Sequence, residues 1–493
     1  MRLEIVAVKT TMIKLVEKYK LLSVQVKAAL WYTLCSIIQK SLAFLVTPIF
    51  TRIMSKDDYG LYTVYNSWYW VVVVFATLNL YNGIFNNGMQ KYKESRDQYT
   101  SILQSFGTVA AIICYCIYLP FNRLVEEQVG LNLFLCSLMF LQSLFTPALY
   151  YWQGRQRYEY KYQRMIIVTV AIAVLRPLIS AIAVIVSHDK GVARVVSFVT
   201  FEIVIGLAFY IYNLFKGKKY FDKSIWKSAF LFAIPLIPHY LSQTFLTNLD
   251  KIMIDRYCGR SFVAVYDIAY TVAMVAVFIN TSINNSLIPW LYDHLEKKDL
   301  NEVPRVTNGL IVIVGIINIF IILFSKEIVI IMGGKDYSEA AYLVPILGWS
   351  VFFMFLYSLF GDVEFYYKKT TYTMYGSLIA CILNAALNVV FIKCFGYQAA
   401  AYTTLASYAA LAVAHYYFVK KIEMKEKMAN VFNYSFILAV SLIGTVGSML
   451  SKLLYYNDYI RYFIICGVFT IVLVNRKSII KYYNYIIKSK GKN

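Results

Sequence analysis

Charge is scarce in this sequence. Asp, Glu, Lys and Arg make up 15% of its 493 residues, where an ordinary soluble domain carries about 25%. The shortage is worst on the acidic side: 27 Asp+Glu stand against 48 Lys+Arg, a formal net charge of +21. Glycine (22) and proline (9) are too few for a collagen-like chain. The eight cysteines include no CxxC pair, which argues against a zinc site or a disulfide framework. Cys35, Cys114, Cys116, Cys136, Cys381 and Cys466 fall in or against apolar runs and read as small buried hydrophobes. No P-loop lysine motif, HExxH or GxSxG occurs, so no ATPase, hydrolase, metal or cofactor is expected.

What fills the chain is apolar. Hydrophobic residues reach 59% and aromatics 17%, which excludes a disordered chain and most soluble enzymes. A helix needs about 20 mostly apolar residues to cross a bilayer. Fourteen stretches qualify: 29–50, 62–80, 101–119, 131–151, 165–186, 192–215, 228–249, 263–288, 306–324, 342–360, 372–392, 397–419, 431–453 and 459–474. The last is the weakest, being short and carrying Arg461. The gaps leave no room for a domain outside the membrane. The expected fold is an all-α integral membrane bundle.

Residues 1–28 read as a basic cytoplasmic lead-in, not a cleavable signal, and 475–493 as a basic cytoplasmic tail. Cytoplasmic loops carry the Lys and Arg excess. With the N-terminus inside, 33 basic residues fall on inner segments and 12 on outer ones, counting Lys452 and Arg461 at span ends with the outer loop between them; Lys40, Arg176 and Arg194 lie deeper within spans. Both termini are therefore expected in the cytoplasm. This bias, with attraction to anionic lipid heads, accounts for the +21 without nucleic acid.

An internal repeat is visible. Thr51-Arg52-Ile53-Met54 with Gly60 lies 199 residues before Asp250-Lys251-Ile252-Met253 with Gly259. Tyr65, Tyr69, Val71 and Asn79 then match Tyr266, Tyr270, Val272 and Asn280 at an offset of 201. Six spans separate the copies, so the two halves point the same way, a parallel-repeat transporter arrangement. The expected division is 29–215 for the first six-helix half, 216–227 for a cytoplasmic linker, 228–419 for the second half, and 431–474 for two appended helices.

Both repeat copies carry a polar stripe. Thr33, Ser36, Lys40, Thr47 and Thr51 share one helical face, as do His239, Gln243, Thr247 and Asp250. Lys40 falls opposite His239 at the repeat offset. A mid-bilayer lysine costs about 2.5–3.5 kcal/mol, so such stripes should face protein or water. Lys40 and His239 are the leading candidates for a cationic, anion-binding cavity; Arg52, Lys251 and Arg176 are weaker ones. His239, which titrates near neutral pH, and Asp250 are candidates for ion coupling. The competing readings are that Lys40 snorkels, that His239 bonds backbone freed by Pro235 and Pro238, and that Asp250, Lys251, Asp255 and Arg256 form a local cluster. Arg176 either pairs with Glu202 or lines the cavity. Asp362 and Glu364, near Lys368 and Lys369, read as a solvated face. Prolines in the spans imply bent helices, and the 44 tyrosines fit interfacial belts.

Two segments carry a family resemblance: FLVTPIFTRIMSKDDYGLYTVYNSW (44–68) and IPLIPHYLSQTFLTNLDKIMIDRYCG (234–259). With fourteen spans and a six-plus-six repeat, the chain resembles the Wzx-type O-antigen and capsular polysaccharide flippases. These belong with the MATE-like exporters and lipid II flippases in one superfamily. The sequence departs from the family at Asp250-Lys251, where Asp-Arg is commoner. The resemblance implies a MATE-like fold of two parallel six-helix halves plus two C-terminal helices. It implies alternating-access movement of undecaprenyl-diphosphate-linked oligosaccharide across a bacterial inner membrane, for O-antigen or capsule assembly. Membrane lipids and a polysaccharide polymerase complex are the implied partners, without an enzymatic activity of the chain's own. A multidrug or lipid II exporter, a membrane-embedded glycosyltransferase or polymerase, and a non-transporting scaffold are the alternatives. The exporter of cationic drugs would need an intramembrane acid, and the mid-span stripe is basic.

Overall fold

A computed structural model describes residues 23–474 together with Tyr19. Most of the basic lead-in and the tail from 475 lie outside the described residues. Among the described residues there is no strand, and each of the fourteen apolar stretches coincides with a long helix. These are α1 (Val24–Ile53), α2 (Lys56–Thr77), α3 (Arg96–Tyr118), α4 (Leu133–Tyr158), α5 (Tyr162–Val186), α6 (Lys190–Gly217) and α7 (Lys223–Cys258). There follow α8 (Arg260–Lys297), α9 (Val303–Leu323), α10 (Val344–Tyr366), α11 (Thr370–Phe395), α12 (Ala399–Lys425), α13 (Tyr434–Leu450) and α14 (Asp458–Val474). Residues 24–28, read as lead-in, are the first turn and a half of α1.

Eleven of these helices are long and apolar enough to cross a membrane. The other three are α2, α12 and α14. Helix α2 opens on Lys56, Asp57 and Asp58. Helix α12 buries a line of small and polar residues, Thr403, Thr404 and Ser407 among them. A helix walled by its neighbours need not be apolar all round. Helix α14 has only 17 residues.

The prolines act locally. Pro48, Pro147, Pro177 and Pro289 lie inside helices. Pro235 sits in a 3₁₀ turn, Ile234–Leu236, that interrupts α7. A proline supplies no N–H and clashes with the preceding turn, so the helix tightens or kinks there.

The chain divides into two compact units, Met1–Phe50 with Val72–Ile237, and Thr51–Val71 with Pro238–Asn493. In the first unit, α6 is the common partner of α3, α4 and α5. Gly206 makes the α4–α6 approach possible: a Cβ there would lie 2.7 Å from the Phe145 backbone. In the second unit α10 is central, touching α8, α9, α12 and α13. Residues 51–71 pack inside this second unit, against their own repeat counterpart. A Cβ on Gly60 would lie 2.2 Å from the Arg260 carbonyl. Ser261 donates to Asp57 at 2.7 Å across the same crossing.

The outer faces are apolar and unpartnered. Ile167, Ile182, Ile185, Val186, Ile443 and Phe463 are among the exposed large side chains, as expected where lipid is the solvent. Cys35, Cys136 and Cys381 are buried hydrophobes as expected. Cys116 and Cys466 are instead exposed and Cys114 half-buried, because lipid hides a thiol as well as a protein core does.

Candidate functional site

In the first unit two arginines, Arg176 and Arg194, lie within the helices. Arg176 on α5 pairs with Glu202 on α6 and lies over the Phe198 ring at 4.1 Å. Gln142 on α4 donates to the other oxygen of Glu202 at 2.6 Å. Arg176 is thus paired with its neighbour Glu202, as the first of the two sequence readings has it. Arg194, buried, stacks over Phe50 at 3.3 Å. Lys40 lies on α1 in this unit; its side chain lies outside the described ones.

The other candidates lie in the second unit. The backbone places His239 and Asp250 on one helix, Ile237–Cys258, below the α7 turn. His239 is half-buried and its Nδ1 finds no hydrogen-bond partner among the described residues. The expectation that it bonds backbone freed by the prolines is therefore corrected; at this turn Ser242 bonds the Pro238 carbonyl instead, at 2.8 Å. Arg52 is exposed and donates to the Ile331 carbonyl at 3.0 Å, near the end of the short helix Ser325–Gly333. Lys251 reaches α8, pairing with Asp267 at 2.6 Å and lying over Tyr270 at 4.8 Å.

Asp250 is fully withdrawn from solvent, at 2% exposure. Its carboxylate accepts from Tyr266 on α8 at 2.7 Å, from Asn388 on α11 at 2.5 Å, and from Thr404 on α12. Thr403 in turn donates to Asn388. Four helices thus converge on one carboxylate. The local cluster expected of Asp250, Lys251, Asp255 and Arg256 does not form as read. Asp250 and Lys251 bond residues of other helices, while Asp255 faces Arg260 at 3.8 Å. Successive residues of a helix point about 100° apart, so neighbours in sequence serve different partners.

Glu364, Asp362 and Glu423 are also buried in this unit. Glu364 is 0% exposed. It meets His415 Nδ1 at 2.7 Å and accepts from Thr373 at 2.9 Å. Asp362 is 6% exposed, and its Oδ2 has no partner among the described residues. The solvated face expected of these two is corrected: α10 is the central helix and continues to Tyr366, so its last turns are enclosed by neighbours. Sequence reasoning also missed His415 and the Asn384, Asn388, Thr403, Thr404 and Ser407 group. The signal was present, since Asn384 and Asn388 are four apart, as are Thr403 and Ser407. The same stripe test that singled out α1 and α7 would have found them on α11 and α12. No group of three or more His, Cys, Asp or Glu among the described residues could hold a metal ion.

Residues 25–294, more than half of the chain, match the profile of a family described as polysaccharide biosynthesis protein. The chain belongs to the polysaccharide biosynthesis protein family. This bears out the resemblance read from segments 44–68 and 234–259, and a second family, MatE, matches residues 235–390. Among curated relatives, a probable low-salt glycan biosynthesis flippase, Agl15 of Haloferax volcanii, is 23% identical over 36% of this chain and 38% of its own length. An uncharacterized membrane protein of Methanocaldococcus jannaschii, MJ1068, is 20% identical over 90% of this chain and 92% of its own. Two solved structures share the family member's fold. The lipid II flippase MurJ, in an inward closed conformation, superposes with a TM-score of 0.61 at 15% identity, covering 92% of this chain and all of that one. An inward-facing multidrug resistance MATE transporter gives 0.58 at 14%, covering 79% and 96%. The fold is MATE-like and all-α, and the family member is a multi-pass membrane protein.

Proposed function

We propose that the protein is a flippase for undecaprenyl-diphosphate-linked oligosaccharide, serving surface polysaccharide (O-antigen or capsule) assembly in the bacterial inner membrane. Family membership supports the polysaccharide link, and the likeness to a glycan biosynthesis flippase, Agl15, and in fold to a lipid II flippase, MurJ, supports flipping of a lipid-linked glycan. In this reading the halves 29–215 and 228–419 alternate access, with both termini cytoplasmic. Lys40 and His239 meet the anionic part of the cargo. A diphosphate sheds water only where cations and donors replace it, while a polyprenyl tail can stay in lipid. Arg176, Arg52 and Lys251 hold internal contacts and serve position more than cargo.

The observation that carries the reading is the Asp250 junction. A carboxylate buried within a transporter's spans marks an ion pathway more readily than a fold contact. We assign it the coupling role, with His239 as the second titratable group on the same helix. The chain would then need no ATP site of its own, and would do no covalent chemistry.

A multidrug exporter is the second reading, favoured by the MatE match and by the intramembrane acids. Against it, Asp250, Asp362 and Glu364 are 0–6% exposed, out of reach of a bulky cation.

Deletion of the gene tests the reading. Completed lipid-linked oligosaccharide should accumulate on the cytoplasmic leaflet, and Lys40→Ala or His239→Ala should reduce surface polysaccharide at unchanged protein level. Loss of the oligosaccharide itself would point to an enzyme. Normal polysaccharide in both variants would remove Lys40 and His239 from the cargo path.

A further inference from the structure

The first unit carries a cavity of about 340 Å³ where α4 ends, α5 begins and α6 passes. That is large enough for a small ligand. Its position at helix ends puts it at the level of lipid headgroups. One wall is aromatic: Trp152 and Phe209 lie 4.7 Å apart, with Tyr212 beside them. The lining also has a basic part, made by Arg155, Lys161 and Arg164.

The charges can be followed one by one. Arg155 is buried and held by Asp97 and by Glu159, the latter at 2.9 Å. Lys161 shares the same Glu159 at 2.5 Å. Two carboxylates therefore face three cations. Arg164 is exposed and makes no ion pair among the described residues. One positive charge is left over at the mouth. The floor adds a second signal. Gln156 is 2% exposed and its Oε1 has no hydrogen-bond partner among the described residues. A buried amide oxygen without a donor is destabilising, a cost that a ligand hydroxyl would relieve.

We propose that this cavity binds a phosphodiester headgroup that carries free hydroxyls. The single leftover charge matches a phosphodiester's single negative charge, placed on Arg164. The hydroxyl reaches Gln156 Oε1, and the carbon skeleton of the headgroup lies along Trp152 and Phe209. Basic pockets between membrane helices are the usual seats of anionic lipid heads. This site goes beyond the transport reading and does not rest on it, since binding is measured without transport.

The test uses the full chain, purified in detergent, and the probes dioctanoylphosphatidylglycerol, dioctanoylphosphatidylcholine and deacylated glycerophosphoglycerol, titrated calorimetrically. Phosphatidylglycerol should bind saturably and phosphatidylcholine much more weakly. Arg164→Gln should weaken phosphatidylglycerol about fivefold, while Arg164→Lys, which keeps the charge, restores it. Gln156→Met should weaken it about threefold to tenfold. If glycerophosphoglycerol competes, the site takes the free ester; if it does not while the lipid saturates, the site takes a membrane lipid. Equal binding of the two lipids overturns the proposal. So does unchanged phosphatidylglycerol binding by Arg164→Gln that elutes as a single folded species.

Discussion

In the first unit the charged side chains buried among the described residues are arginines, Arg155 and Arg194. In the second they are mainly carboxylates: Asp250, Asp362, Glu364 and Glu423, with His415 and Arg461. The means of support differ as well. The arginines lie on aromatic rings or face acids at the helix ends, where a long side chain reaches the interface. The carboxylates are short and cannot reach it, so helices must bring donors to them. Tyr266, Asn388 and Thr404 come from three helices to serve Asp250. The lesson is that the basic excess of the whole chain hides an acidic interior in one part of it. Under the proposed function, an anion carrier driven by a cation needs both signs, and the buried carboxylates lie in the second unit.

That comparison can be broken experimentally. The largest effect is expected in the second unit. Glu364→Ala leaves His415 buried with neither nitrogen partnered, and should cost about 3–5 kcal/mol in denaturant unfolding of the purified protein. Replacing both members, Glu364→Leu with His415→Leu, should recover most of it. A single variant as stable as the parent would show that the pair contributes nothing.

A smaller effect is expected in the first unit. The Arg176 side chain is 29% exposed and that of Glu202 16%. Arg176→Gln should cost about 1 kcal/mol, because Gln142 still holds Glu202. A loss as large as that of Glu364→Ala would erase the contrast between the units.

The smallest is a pH effect at the α4–α5 loop. Burial pushes the Glu159 carboxyl up, but Lys161 and Arg155 outweigh it and hold the group below its ordinary value of 4.5. Its contribution is therefore complete above 4.5 and lost as pH falls through the lower folded value. Glu159→Gln should flatten that part of the stability–pH curve by less than about 1 kcal/mol. A curve that keeps its full slope in the variant would place the proton uptake elsewhere.

How much of this was legible in the sequence follows from what each signal measures. The fourteen long helices were legible, eleven of them as candidate spans, because lipid imposes length and apolarity on every helix that meets it. Even α2, α12 and α14, which lack the full membrane signature, were found from their apolar runs. The family was legible in two short segments at the repeat. The interior of the second unit was less so. Asp362 and Glu364 were misread because nearby Lys368 and Lys369 suggested water, whereas enclosure depends on helices distant in sequence. His239 was placed as a candidate, but that its Nδ1 would find no partner among the described residues could not be known without the packing around it. Residues 51–71 joining the second unit is likewise a matter of tertiary packing, which Gly60 permits and no periodicity announces.

The central claim is that the acid interior of the second unit couples a cation to the movement of an anionic glycolipid. Asp250→Asn keeps the shape of the junction and removes its charge. The decisive measurement is leaflet-to-leaflet movement of a lipid-diphosphate-linked oligosaccharide in proteoliposomes, with and without an imposed proton or sodium gradient. The account predicts that the parent responds to one of these gradients, and that Asp250→Asn, still folded, no longer does. An Asp250→Asn protein that responds to the gradient as the parent does would contradict it.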